Sequence, residues 1–167
     1  MSVEERELKS TVALLSTRLS AHGLKISYGE ALSLVRAVHA AVSKLPCPLI
    51  AAWVLRRVVG ECFGDVAAVA AAAGALMYSC GRADYDTVVQ CAERGCGGVD
   101  MQTASAVMET AYEVGTVLGL PSAEALRIAG LLKYRYLNFK AMLLEDDLRG
   151  EGALWGELVA YALRFLH

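Results

Sequence analysis

The run VAAVAAAAGALM, residues 66–77, is the feature of this sequence that most restricts its fold. Its twelve residues fall well short of the ~20 that a membrane-spanning helix requires, and Ala contributes little to insertion. Ala is the best helix former, and a helix with such small side chains lets neighbouring backbones come close. The run therefore predicts a helix buried in protein. The rest of the chain has to supply apolar faces to cover it.

That supply is ample. Apolar residues make up 56% of the 167 positions and charged residues 20%, which fits one compact domain spanning residues 1–167. The net charge is −2 with no polybasic run, so a nucleic-acid partner is disfavoured. The opening MSVEERELKS has no basic-then-apolar order, so the expectation is a chain that is not exported, with any membrane anchor lying beyond residue 167. Five cysteines, Cys47, Cys62, Cys80, Cys91 and Cys96, form an odd set sitting mostly in apolar helical patterns. They read as buried structural thiols in a reducing, cytoplasmic compartment.

Punctuation divides the chain into about eight helical segments, and no segment alternates as a strand would. Ser2 with Glu5 and Ser27 with Glu30 are capping boxes, opening helices over residues 3–21 and from residue 28 to about 45, where Pro46 and Pro48 forbid continuation. A third helix occupies residues 48–63. Gly64-Asp65 precedes the Ala-rich fourth, which stops at Gly81. Asp84 caps a fifth to about residue 94, and Gly95-Cys96-Gly97-Gly98 is a loop. Asp100 caps a sixth helix ending at Gly119, Pro121-Ser122 opens a seventh over residues 123–148, and the last covers residues 153–166. The expected fold is all-α, a bundle of about eight helices around a central apolar helix.

Catalytic and metal chemistry find little support. His22, His39 and His167 are dispersed, and no Cys or His pair has the spacing of a tetrahedral zinc site. There is no Gly-x-Ser-x-Gly elbow, and the Gly95–Gly98 loop lacks the Lys-Ser/Thr ending of a phosphate cradle. Glu145-Asp146-Asp147 reads as a solvated helix end. Lys133, Tyr134, Arg135, Tyr136 and Lys140 scatter around their helix, so their long side chains read as amphipathic cover rather than a base-stacking surface. No enzyme, cofactor or metal is expected.

Several stretches, in one order, resemble the Bcl-2 family of apoptosis regulators. RELKSTVALLSTRLSAHG, residues 6–23, is similar to that family's first helix, its fourth homology segment, with the two Leu-Ser pairs around Arg18. LRRVVGECF, residues 55–63, resembles a degenerate third homology segment carrying Leu55, Val58, Val59, Gly60, Glu61 and Phe63. YDTVVQCAERGCGGVDM, residues 85–101, looks like the helix leading into the first homology segment, with Val88-Val89 as its buried pair. RIAGLLKYRYLN, residues 127–138, resembles the long sixth helix, and WGELV, residues 155–159, the second homology segment. A second register would set residues 63–80 against the first homology segment and central helix, but the later one keeps the spacing to Trp155.

The departures are specific. Asp100-Met101-Gln102-Thr103 stands where the family usually has Asn-Trp-Gly-Arg, so the Arg that pairs with an Asp of the bound helix is missing. The predicted helix over residues 28–44 lies where many relatives have a loop. Such erosion suits a divergent, viral member.

The resemblance implies a surface groove that accepts the amphipathic death-motif helix of pro-apoptotic relatives. Val88, Val89, Met101, Ala104 and Val107 are the expected apolar floor, with Arg94, Asp100 and Thr103 towards the polar rim. The implied function is anti-apoptotic sequestration of those partners in the cytoplasm or at the mitochondrial outer membrane. A helical assembly protein acting through homodimerisation is the alternative.

Overall fold

A computed structural model describes residues 27–80, 91 and 100–144. These residues hold five long helices and no strand: α1 (Tyr28–Lys44), α2 (Pro48–Phe63), α3 (Asp65–Cys80), α4 (Met101–Val117) and α5 (Ser122–Leu144). The all-α expectation therefore holds for them. The expected helices over residues 3–21, 84–94 and 153–166 lie outside the described residues, and the count there is five rather than eight.

Each boundary has a local cause. At the start of α1 the Ser27 hydroxyl accepts from the Glu30 N–H at 3.2 Å, while the Glu30 carboxylate accepts from the Ser27 N–H at 3.2 Å. This satisfies two donors that the first helical turn would leave orphaned. The helix stops at extended Leu45, ahead of Pro46, and Pro48 opens α2 from the first-turn position where its missing N–H costs nothing. One residue, Gly64 at φ +87°, turns the chain from α2 into α3.

The Ala-rich run lies within α3, as its composition predicts. Among the described residues it does not stand as a central helix, however. Its extensive contact is with α2, and it meets α1 over a smaller area. The reason lies in side-chain size. Ala67, Ala68, Ala71, Ala72 and Ala75 are buried against the larger Val54, Leu55, Val58 and Val59 of α2, so small faces large across one seam. At Gly60 the approach is close enough that a Cβ would lie 3.6 Å from that of Ala68.

The second half packs on this pair through α4, which contacts α1, α2 and α5. Ala104, Val107, Ala111 and Val114 make its inner face, and Ala125, Ile128, Ala129, Leu132 and Tyr136 make that of α5. Both sets recur at three- and four-residue intervals, one stripe of a 3.6-residue helix. Full burial of each Val or Leu contributes roughly 1.5–3 kcal/mol. The α4–α5 turn is a Schellman motif: Leu120 N–H donates to Gly115 C=O at 2.9 Å and Gly119 N–H to Thr116 C=O at 3.1 Å, with Gly119 at φ +93°. An ion pair between Lys44 and Glu113 ties the end of α1 to α4 at the surface.

The cysteines depart from the reading as free thiols. Cys80 and Cys91 are joined in a disulfide, Cys47 is also disulfide-bonded, and Cys62 is free. None of the described helices is long and apolar enough to cross a membrane.

Candidate functional site

The residues of the expected groove fall on two helices. On α2, Leu55, Val58 and Val59 are wholly buried, Gly60 and Phe63 are half-buried, and Glu61 is exposed. Leu55, Val58 and Val59 thus belong to the seam with α3 and the core. Phe63, at the edge, is partly open and packs against that core from its rim.

On α4, Asp100 is the N-cap. One carboxylate oxygen accepts from the Thr103 N–H at 2.6 Å, and the other accepts from the Thr103 hydroxyl at 3.0 Å. Both partners are locked by this arrangement, so Thr103 is buried beside its cap and does not stand on an exposed rim. Ala104 and Val107 have no exposed surface and share one core cluster with Leu55, Val58 and Val59. Met101 is different, with 61% of its surface exposed on the first turn. Val88, Val89 and Arg94 lie outside the described residues.

Met101 starts a stripe that sequence reading did not single out. Ser105, Met108 and Tyr112 follow at four, seven and eleven residues, so all four sit on one side of α4, with Met108 also packing against the edge of the core. Tyr112 is 38% exposed and Met108 is half-buried. The spacing was present in the sequence, but only the packing of Ala104 and Val107 inward shows which side of the helix stays open. Unbranched, polarizable Met side chains suit such a surface because they reshape themselves around different partners. On α2, Arg56, Gly60 and Phe63 are half-buried, Gly60 towards Ala68 of α3 and Phe63 against the core, and Arg56 is a cation that the sequence reading did not single out.

Electrostatics elsewhere are local. Burial, with a smaller push from neighbouring Glu61, raises the Cys62 thiol above its ordinary range. Hydrogen bonds from Arg127 hold the Glu124 carboxyl below the usual carboxylate range, at 2.5 Å for the shortest contact. Among the described residues no group of three His, Cys, Asp or Glu side chains could hold a metal ion. The arrangement on α4 offers an apolar first turn beside a polar cap.

No known family, characterised protein or solved structure matches the chain.

Proposed function

We propose that the protein is a divergent, virus-type apoptosis regulator of the Bcl-2 kind. It sequesters the amphipathic death-motif helix of pro-apoptotic partners and so restrains mitochondrial permeabilisation. The observation that carries this reading is the pair of exposed apolar side chains Met101 and Tyr112, with half-buried Met108 between them, on the helix that begins where the sequence resembles the family's first homology segment. An incoming helix lays its apolar anchors along such a stripe and lets charges set its register. Arg56 and Arg94 are the candidates to meet the partner's acidic residue, replacing the Arg that the family carries near position 103. The work is done in the cytoplasm or at the mitochondrial outer membrane, and it needs no cofactor and no catalytic group.

Calorimetric titration with a panel of pro-apoptotic helical peptides tests this reading on the unaltered chain, Met101→Asp and Val89→Asp. Saturable binding by the unaltered chain, weakened at least about tenfold by either Asp, is expected, because a charge set against apolar anchors is poorly solvated. Absence of binding refutes the function. Unchanged binding by Met101→Asp refutes the stripe.

A second reading draws on α5. Leu126, Leu131 and Tyr134 are exposed large apolar residues on its outer side, Tyr134 at 67%. They fit homodimeric assembly. Sedimentation equilibrium separates the two: a concentration-dependent dimer abolished by Leu126→Asp, without peptide binding, selects assembly.

A further inference from the structure

The outer side of α4 carries its polar groups along one edge. Going round the helix from the core face of Ala104, Val107 and Ala111, half-buried Met108 comes first, then exposed Met101 and Tyr112, then exposed Ser105. Beyond Ser105 lie Gln102, Glu109 and Thr116, all exposed and seven residues apart, so they form one row along the helix. Glu109 brings the charge in that row. The Thr116 hydroxyl is committed to the Tyr112 C=O, to which it donates at 2.9 Å. The other charged residue of α4, Glu113, is engaged by Lys44 of α1. Among the described residues Glu109 has no ion-pair partner.

We propose that Glu109 sets the charge selectivity of this surface: the helix that docks on Met101 and Tyr112 carries a cationic side chain, Lys or Arg, beside its apolar anchors and near its midpoint. This rests on the function proposed above and deepens it by stating a chemical requirement on the partner.

Position fixes where the cation must be. Glu109 is the central residue of the seventeen in α4. A partner helix lying along α4 in either direction therefore brings its own middle to this carboxylate. Glu109 stands four residues after Ser105 and three before Tyr112, so it neighbours both on the helix surface. A cation that reaches it sits at the edge of the apolar contact, where the docked side chains displace part of the water and weaken screening. An acidic residue at the same place would meet Glu109 as a like charge. Selectivity thus comes as much from the helices turned away as from those accepted.

Fluorescence anisotropy with three labelled synthetic helices tests this on the full chain. The peptides share Leu anchors at three- and four-residue spacing and differ at one central flanking position, which is Lys, Gln or Glu. At low salt the unaltered chain is expected to bind the Lys peptide about fivefold more tightly than the Glu peptide, with Gln between, and high salt should narrow the gap. Glu109→Gln should bring the three affinities to within about twofold, and Glu109→Lys should reverse their order. Both variants should fold as the unaltered chain does, because Glu109 is exposed and Gln and Lys are helix formers of similar rank; circular dichroism checks this. Equal affinities for the three peptides, or a ranking that survives in both variants, overturns the selectivity and leaves the peptide-binding function standing. Absence of binding by all three peptides also overturns the selectivity, and absence of binding by the pro-apoptotic panel as well overturns the function with it.

Discussion

Gly115 on α4 faces Ala125 on α5 so closely that a Cβ added to it would lie 3.1 Å from the Ala125 Cβ and 3.3 Å from the Leu120 Cδ1. The helices meet there because neither residue brings bulk to the crossing. Gly115→Ala gains up to about 1 kcal/mol of helix propensity but must push its neighbours by a few tenths of an ångström, so its net effect should stay within ~1 kcal/mol. Gly115→Val has no such room and should destabilise by about 1–3 kcal/mol. Urea unfolding of the two variants checks the contrast.

Gly119 tests backbone strain without crowding. A Cβ at this position meets nothing within 4 Å, yet its φ is +93°. Gly119→Ala should therefore cost about 1–2 kcal/mol through conformation alone. Gly119→Asn, which tolerates the left-handed region better, should cost less. Thermal melts that place both variants at the unaltered chain's stability would contradict the Schellman assignment.

Thr110 is wholly buried on α4, and its hydroxyl has no hydrogen-bond partner. Its nearly isosteric replacement Thr110→Val removes a desolvated polar atom without opening a void. The expected gain is about 1 kcal/mol. A loss of that size in denaturant titration would mean the hydroxyl is satisfied.

Asp100 caps α4 through both carboxylate oxygens. Asp100→Ala should destabilise by about 1 kcal/mol, whereas Asp100→Asn keeps an acceptor for the Thr103 N–H and should recover most of it. Amide exchange in the first turn of α4 reports the difference directly.

Glu124 and Arg127 are exposed partners one turn apart at the start of α5. The hydrogen bonds depress the Glu124 carboxyl, so the pair's contribution is present above the usual carboxylate range and is lost as pH falls through the lowered value. NMR titration should place the Glu124 midpoint lower in the unaltered chain than in Arg127→Gln. High salt should narrow the gap, because the pair stands in solvent.

The helix boundaries were legible because they depend on neighbours in the chain. Ser27 with Glu30, Pro48, Asp100 and Gly119 each act within one turn, and each sits where its local chemistry puts it. The expected end of α5 at about residue 148, ahead of Gly150, lies outside the described residues. For the candidate site, Met101 could be named from its place in the resemblance. Its companions Met108 and Tyr112 could not, because an apolar residue on a helix may face the core or the solvent, and α4 carries both kinds.

By itself, then, the sequence determined that the described chain is helical, where its helices start and turn, and that the Ala-rich run is too short to span a membrane. Those properties follow from interactions over one to four residues. Tertiary structure alone decided that α3 shares an extensive interface with α2, that Ala104 and Val107 turn inward while Met101 stays open, and that Cys80 is bonded to Cys91. Each of these depends on which surfaces meet after the chain folds back, and periodicity repeats identically whichever partner is waiting.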